Sequence, residues 1–373
     1  PDEITYRWAK EPPEIKQRDT GLAERLRRGC DKKIDNNLTY RLLEIESQDI
    51  GVELQFTTGD YEEYYETCEA LTWELGNVLL SFYEKEKERI RGKKLTGHEI
   101  LEIVSSDLAL RNSIEPFDFL SRCMTAGINT LTIMAFESLQ KNFFLMHDRS
   151  QSGKPEEEPE GKDEKVEVDE FVAGLAKSFG RMPRKPSEGN KTQEGLAEAI
   201  DTWHVVPAGT FQPLTEGDNC RDIELRIERN ILREFGEELL NKRKLIEQLG
   251  IIHPNRPFEE DCELKHLKKV FSTRATEVRF LGCGIDCVSL KPEFLTLIVT
   301  NGDLLLSGIK LRKLRNNWEG KHQFKEFSIE SLDKWLKRDD VLPAGAGCIA
   351  LCLRHHDDVE NLIASVIATG SIS

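Results

Sequence analysis

The chain has 373 residues and a formal net charge of −15 at pH 7. This length suits two modules or one elaborated domain. The charge disfavours general nucleic-acid binding, because an acidic surface repels phosphate backbones unless a local basic patch offsets it. An acidic protein can still act on phosphates when divalent cations mediate the contact. Hydrophobic residues make up 38% of the chain, enough to build a core, which argues against global disorder.

The cysteine pattern and the apolar runs bear on the compartment. The nine cysteines are an odd number and are spread along the chain. Residues 1–16 are polar and carry no signal-peptide pattern. No apolar run approaches the ~20 residues that a membrane span requires. We therefore expect a cytoplasmic protein with no membrane association, because thiols persist in a reducing compartment.

The first part of the chain predicts a tail and an accessory module. Residues 1–37 are expected to be a polar, partly helical tail, with a short amphipathic helix at 22–28. In residues 38–56 apolar positions alternate in places, which favours strands. Over residues 61–91 they recur at helical spacing, which predicts one long amphipathic helix. We assign residues 38–125 to a helical and stranded accessory module, whose partner, another protein or a second copy of the chain, stays open.

Residues 126–373 predict an α/β domain. Two apolar β-type runs, at 130–135 and 142–147, indicate a hairpin. Residues 151–199 begin with a run dense in acids and are expected to be a solvated, partly disordered insertion. The other predicted elements are a strand at 202–211, an unbroken helix at 223–249, strands at 277–280, 295–300 and 348–353, and a helix at 328–338.

The informative part of the chain is the string Arg-Glu-Phe-Gly-Glu-Glu at residues 233–238, which we call the carboxylate segment. Every fourth residue around it is apolar, which predicts a buried helical stripe of Ile227, Ile231, Phe235 and Leu239. Glu234, Glu237 and Glu238 share another face because they are spaced by three and four residues.

These residue choices are costly for an ordinary helix. Like charges at this spacing destabilise a helix by a few tenths of a kcal/mol per pair, and a glycine such as Gly236 costs about 1 kcal/mol relative to alanine. A hard divalent cation would relieve the repulsion, because Mg²⁺ and Mn²⁺ prefer oxygen ligands. The alternative is a solvated acidic face, neutralised by the nearby cations Arg233, Lys242, Arg243 and Lys244.

The carboxylate segment resembles the core of the Nudix box, which reads Arg-Glu, a hydrophobic residue, any residue, Glu-Glu. The run at residues 203–209 is similar to the strand entering that family's glycine loop, with Pro207-Ala208-Gly209 in place of Pro-Gly-Gly. The hairpin is similar to the family's opening strands. Three departures stand out: the connection to the helix is longer, Leu225 stands where the first box glutamate falls, and Leu240 replaces the closing glycine. Glu224 or Glu228 is a candidate substitute for that first glutamate.

The resemblance implies a fold, a cofactor and a reaction. The fold is α/β (α+β), a Nudix-like mixed sheet sandwiched between helices over residues 126–373. The implied reaction is hydrolysis of a nucleoside diphosphate-linked substrate with bound Mg²⁺ or Mn²⁺. The implied metal ligands are Glu234, Glu237 and Glu238, and the implied catalytic residues are Glu237, Glu238 and Arg233. The candidate substrate-binding residues are Trp203, Pro207, Ala208, Gly209 and Phe211, and Glu293 is a candidate for an additional ligand or base.

Several alternatives remain beside this interpretation. A degenerate box could hold a nucleotide without cleaving it, as a sensor or regulatory module, or the acidic helix could be plain surface. Trp203 and Phe211 either stack on a base or pack in the core, where aromatic residues are commoner. His204 is a candidate pocket residue; the alternative is an ordinary histidine of the core or the surface. The pairs Cys283/Cys287 and Cys348/Cys352, with His355 and His356 nearby, allow a zinc site, but buried structural cysteines are favoured.

Overall fold

The computed structural model shows a mixed α/β protein with two sheets. It describes residues 3–15, 18–19, 21–22, 37–49, 51–90, 97–149, 202–215, 220–309 and 321–370. Within these residues, no helix has the length and apolar character needed to cross a membrane. The acidic insertion at 151–199 and nearly all of the helix predicted at 22–28 lie outside the described residues.

The smaller sheet has three strands, β1 (Glu3–Trp8), β2 (Leu38–Ser47) and β3 (Gly51–Asp60), in the order β1-β3-β2. Strand β1 runs parallel to β3 and β2 runs antiparallel to it. The strands predicted at 38–56 are therefore confirmed. The prediction of a polar tail over residues 1–37 is wrong for β1, because Ile4, Tyr6 and Trp8 alternate along it and pack against the core.

A long helical stretch follows this sheet. It comprises α1 (Tyr61–Tyr64), a π-helical turn (Tyr65–Glu69) and α2 (Ala70–Ile90), which confirms the predicted long helix. Then come α3 (Gly97–Val104), a 3₁₀ turn (Ser105–Asp107) and α4 (Ala109–Asn112). The apolar face of α2 packs against α3 and the residues after it, through Leu75, Leu79, Phe82, Ile100, Val104 and Leu108.

The larger sheet begins with the predicted hairpin, β4 (Gly127–Phe136) and β5 (Lys141–Asp148). It also contains β6 (Trp203–Val205), β7 (Ala208–Thr210), β8 (Thr276–Ile285), β9 (Pro292–Asn301) and β10 (Lys321–Glu326). The main order is β10-β5-β4-β9-β8, with β6 beside β5 and β7 beside β4. Strands β4 and β9 are parallel, so the sheet is mixed. The strands predicted at 277–280 and 295–300 are confirmed.

The predicted strand at 202–211 is wrong as one element, because it forms two short strands on different partners. Strand β6 pairs with β5 and β7 pairs with β4. The peptide bond between Val206 and Pro207, which separates them, is cis. The change of partner carries the chain from the C-terminal end of β5 to the start of β4, where the carboxylate segment lies.

The single helix predicted at 223–249 is also wrong. It is divided into α5 (Arg221–Glu224), α6 (Ile227–Glu234), a π-helical turn (Phe235–Leu239) and α7 (Arg243–Gly250). Arg226 is extended, with φ −141°, and interrupts the first part. Asn241 has φ 54°, a left-handed conformation that asparagine tolerates better than most residues, and it ends the second part.

The remaining helices are α8 (Pro257–Glu260), α9 (Cys262–Phe271), α10 (Gly302–Ser307), α11 (Ile329–Leu336), α12 (Pro343–Arg354) and α13 (His356–Gly370). Helix α11 confirms the prediction at 328–338. The strand predicted at 348–353 is wrong, since these residues form the second half of α12. A short apolar run fits a buried helix as well as a strand, and Pro343 in the first turn suits a helix start.

The larger sheet lies between two packed layers. On one face it packs against α6, α9 and the smaller sheet in one apolar cluster. On the other face it packs against α11, α12 and α13 in a second cluster. Consecutive residues of β9 illustrate the alternation, since Phe294 belongs to the first cluster and Leu295 to the second.

Candidate active site

The predicted apolar stripe determines which face of α6 and of its π-helical turn is buried against the core. All of its members are at most 1% exposed: Ile227, Ile231, Phe235 and Leu239. The ring of Phe235 packs edge-on against Phe271 of α9, with centroids 5.5 Å apart. With this stripe facing the core, the carboxylates are directed at the turn before β7.

The acids of the carboxylate segment are not a solvated surface. Glu234 is 8% exposed and Glu238 is 7% exposed. Arg233 Nη2 donates to Glu234 Oε1 at 2.8 Å, and Arg233 Nε lies 3.5 Å from Glu237 Oε1. The alternative of a solvated acidic face is therefore wrong for these side chains.

The turn formed by Pro207, Ala208 and Gly209, which we call the proline-glycine turn, contacts the carboxylate segment directly. The backbone N–H of Ala208 donates to Glu238 Oε2 at 3.0 Å. A Cβ on Gly209 would lie 2.6 Å from both carboxylate oxygens of Glu234, so only glycine fits here. The carbonyl of Pro207 accepts the N–H of Thr130 in β4 at 3.0 Å, which anchors the turn to the sheet. The structure thus brings the predicted turn and the predicted acids together.

Arg233 also fastens the chain that leaves the turn. Its Nη1 donates to the carbonyl of Gln212 at 2.7 Å, and its Nη2 lies 3.3 Å from the carbonyl of Thr210. Burial acts to lower the pKa of Arg233, but the negative charges of Glu234 and Glu237 outweigh it and raise that pKa. The guanidinium is therefore a permanent cation that links the turn and the acids.

Glu237 carries the most perturbed carboxyl of the site. Burial, reinforced by the negative charge of Glu234, raises its pKa to about 8. Arg233 acts in the opposite direction. Without a bound cation, Glu237 therefore holds a proton at neutral pH, and this proton offsets the repulsion between the acids.

His322 from the sheet borders the site, and sequence reasoning did not single it out. His322 of β10 lies with its Nε2 3.1 Å from the carbonyl of Glu238, and its ring centroid is 4.6 Å from that of His147. Burial lowers the pKa of His322 to about 4, so its ring is neutral. Strand β10 was not predicted, because its polar sequence lacks an apolar alternation. His204, the predicted pocket candidate, pairs across the strands with His147. It is buried, which lowers its pKa.

Gly236 has a packing reason that the sequence did not reveal. A Cβ at this position would lie 2.7 Å from Leu264 Cδ2 and 2.9 Å from Ile246 Cδ1. The glycine thus permits α9 and α7 to approach the segment. The interpretation of Gly236 as a choice made only for metal binding is therefore incomplete.

The two leucines that depart from the Nudix pattern are packed into the interior. Leu225 is 6% exposed and Leu240 is fully buried. Of the candidate substitutes, Glu224 accepts the N–H of Leu214 at 2.7 Å and ties down the loop, and Glu228 lies 3.4 Å from the hydroxyl of Tyr6. Their hydrogen bonds thus go to the loop and to β1 and not to the carboxylate segment, although the charge of Glu224 still acts on Arg233.

Trp203 and Phe211 are engaged with protein rings. Trp203 packs edge-on against Trp335 at 5.0 Å, with Arg338 5.7 Å from its ring centroid. Phe211 is fully buried and lies 4.9 Å from Tyr40 and 5.2 Å from Phe56. Core packing accounts for Phe211, and its stacking on a base is a prediction that its exposure does not support.

Glu293 lies apart from the carboxylate segment. It sits next to Gly127, accepts from Asn129 Nδ2 at 2.6 Å, and pairs with Lys291 at 3.2 Å. Its neighbour Phe294 packs on the face of α6, so alternation directs Glu293 to the opposite face. Burial raises its pKa, partly offset by Lys291 and Asn129. The structure does not bring this candidate base to the other acids.

Among the described residues, the cysteine pairs do not assemble with the neighbouring histidines into a group that could hold a metal ion. Cys348 and Cys352 are buried on one face of α12, which agrees with the structural interpretation. His355 and His356 lie instead near Asp358 and Asp357. Burial raises the pKa of Cys348 and of Cys352 to about 12, so both are neutral thiols.

The acids have the donor chemistry that a hard cation selects, but their present contacts are with protein groups. Throughout the described part of the chain, no three His, Cys, Asp or Glu side chains form a group that could hold a metal ion. The reason at this site is visible: Arg233 engages Glu234 and Glu237, and Ala208 engages Glu238. Carboxylate oxygens are the donors that Mg²⁺ and Mn²⁺ select.

Comparison with known proteins adds no relative to this geometry: no family model matches the chain, and no curated protein matches it.

Proposed function

We propose that the chain is a Nudix-like, divalent-metal-dependent hydrolase of a diphosphate bond in a nucleoside diphosphate-linked substrate. The observation that carries the proposal is the junction of the turn and the acids. Gly209 allows its backbone to approach Glu234 with no room for a Cβ, and Ala208 binds Glu238. A glycine turn and a carboxylate helix from distant parts of the sequence converge there, as the resemblance implies.

The residues divide the work as follows. Glu234, Glu237 and Glu238 would hold Mg²⁺ or Mn²⁺, which when bound supplies Lewis-acid polarisation and neutralises diphosphate charge. To act as a ligand, Glu237 would have to be deprotonated, because a proton and a cation compete for the same oxygens. Arg233 holds the acids and the loop at Gln212 in a fixed relative position, because it contacts both. Ala208 and Gly209 are half-buried, and they are the part of the turn that would face a substrate.

A small nucleotide-type ligand and a cytoplasmic site of action belong to the same proposal. All eight of the described cysteines are free thiols, which supports a reducing compartment.

The test is turnover of a panel of nucleoside diphosphate derivatives with Mg²⁺ or Mn²⁺. Glu238→Gln should abolish turnover, since it removes a charged ligand while keeping the shape of the side chain. Glu360→Gln, an exposed residue on α13, is the matched control and should keep full activity. Absence of turnover in the unaltered protein across the panel would contradict the enzyme proposal.

The second candidate is a nucleotide-binding module that does not hydrolyse its ligand. Two observations favour it: the ion pairs of Arg233 with Glu234 and Glu237, and the leucines at positions 225 and 240. Ligand binding measured by calorimetry, without turnover and with equal affinity in Glu238→Gln, distinguishes this module from the enzyme.

A further inference from the structure

A second group of charges closes the far end of the carboxylate segment. Lys242 Nζ lies 2.8 Å from Asp261 Oδ2 and 3.0 Å from Glu263 Oε2. The side chain of Glu263 is 1% exposed, and those of Lys242 and Asp261 are 20% and 16% exposed. Hydrogen bonds between ionised groups at such distances are among the stronger contacts in proteins. We call these three residues the Lys242 clamp.

The backbone of Lys242 joins the π-helical turn to the next helix. Its N–H donates to the carbonyl of Gly236 at 3.0 Å, and its carbonyl accepts the N–H of Ile246 at 3.0 Å. Asn241, immediately before it, holds the left-handed conformation that ends the turn. Lys242 therefore fixes the C-terminal boundary of the residues that carry Glu237 and Glu238.

The acidic side of the clamp is equally well anchored. Asp261 caps α9, with its Oδ1 accepting the N–H groups of Glu263 and Leu264 at 2.9 and 3.0 Å. Leu264 is the residue that lies against Gly236 in the middle of the carboxylate segment. The clamp thus holds α9 against Gly236, which lies between Glu234 and Glu237 in the sequence.

A π-helical turn needs such support. One extra residue in the turn weakens the regular backbone ladder, and turns of this kind occur mostly as single bulges within α-helices, frequently at functional sites. Here the turn spans Phe235–Leu239 and contains two of the three proposed ligands. If the turn relaxed to regular helix, Glu237 and Glu238 would rotate about the helix axis and leave their present positions beside Arg233 and Ala208.

We propose that Lys242 is a positioning residue that sets the cation affinity of the carboxylate segment by holding its π-helical turn. This inference rests on the proposed function for its metal, but the state of the turn is measurable without any metal. Residues that orient metal ligands typically change metal affinity by about 10- to 100-fold when they are replaced.

The experiment compares four full-length proteins: the unaltered chain, Lys242→Met, Lys242→Arg, and the double variant Lys242→Met/Glu263→Gln. The double variant is needed because Lys242→Met alone leaves the buried Glu263 carboxylate without its cation, which is destabilising in itself. Lys337→Met removes an exposed lysine paired with Asp333 on α11 and is the matched surface control.

Two measurements are made on each protein: hydrogen exchange of the peptide covering residues 235–242, and Mn²⁺ affinity. In the double variant we expect faster exchange in that peptide, unchanged exchange in α13, and Mn²⁺ affinity weakened by about tenfold or more. Lys242→Arg should retain most of the affinity, and Lys337→Met should behave as the unaltered chain does.

Each result decides a different claim. Unchanged exchange in the double variant overturns the inference, whatever the metal does. Faster exchange with unchanged Mn²⁺ affinity overturns it as well, because the turn would then not position the ligands. Failure of the unaltered chain to bind Mn²⁺ contradicts the proposed function and, with it, the effect of Lys242 on affinity; the exchange data would still decide whether Lys242 holds the turn.

Discussion

Gly209 and Glu234 lie so close together that a side chain on one would overlap the carboxylate of the other. The residues are 25 positions apart and come from a short strand and a helix. Their contact joins the two parts of the chain on which the proposed reaction depends.

Gly209→Ala should therefore separate the turn from the acids. The new Cβ would displace the Glu234 carboxylate from its place beside Arg233, and we expect Mn²⁺ affinity and turnover to fall at least tenfold. Titration calorimetry and initial rates measure the two effects. The matched control is Gly284→Ala in β8, where the nearest atom would lie at an ordinary 3.9 Å. Equal losses in both variants would assign the effect to general destabilisation instead.

The raised pKa of Glu237 predicts how cation binding depends on pH. Below about pH 8 the cation must displace a proton from this carboxyl. Mn²⁺ affinity should then rise by up to about tenfold per pH unit towards pH 8 and level off above it. An affinity that stays constant between pH 6 and 8 contradicts this assignment.

The same group affects the stability of the metal-free protein, with the opposite sign to an ion-paired carboxylate, whose pKa is lowered. The pKa of Glu237 is raised from 4.5 in the reference state to about 8 in the fold. Its contribution to the free energy of unfolding is full below pH 4.5 and is lost as the pH rises through 8. Glu237→Gln does not titrate and should remove this component from chemical-denaturation curves recorded across that window.

Tyr6 of β1 supplies a cap to the helix that carries the acids. The N–H of Ile227 donates to its hydroxyl at 3.0 Å, while the N-cap residue Arg226 offers no side-chain bond. Tyr6→Phe keeps the ring and removes the acceptor, so we expect a loss of about 1 kcal/mol in the free energy of unfolding. Urea denaturation measures it. Glu228→Gln, which perturbs only the 3.4 Å contact, should have a smaller effect.

Phe211 links the two sheets through aromatic contacts. Its ring meets Tyr40 and Phe56 of the smaller sheet and Phe294 of the larger one. Phe211→Ala should cost about 3–5 kcal/mol, the usual range for a buried phenylalanine, with loss of both sheets in a single transition. Phe117→Ala is the control, because Phe117 is 72% exposed and its removal should be nearly neutral. Two separate transitions in the unaltered protein would contradict the single-unit expectation.

The elements that sequence reasoning predicted correctly are those with a sustained period. The stripe from Ile227 to Leu239 and the hairpin of β4 and β5 each repeat their pattern over several residues. Strand β1 was missed because its alternation spans only six residues within a polar stretch. The end of α12 was predicted as a strand because an apolar run such as that around Cys348 has no period of its own.

The residues of the site could be predicted from the sequence, but their surroundings could not. The spacing of Glu234, Glu237 and Glu238 placed them on one face. Their burial, however, depends on the contacts that Gly209 and Arg233 make between segments far apart in the sequence. The fourth candidate acid, Glu293, was expected from the resemblance alone, and its strand directs it to the other face. His322 could not be found, because its position depends on the pairing of β10 with β5.

The cap that Tyr6 provides has a practical consequence for anyone who shortens this protein. A fragment beginning at residue 126 would keep every acid of the carboxylate segment but would lose the hydroxyl above Ile227 and uncover the rings of Phe211 and Phe294. In such a fragment the first N–H of α6 would lack its hydrogen-bond acceptor, and an exposed apolar patch would be available for contact with other copies. Its inactivity or precipitation would report on the missing strands and would say nothing about the chemistry of the acids.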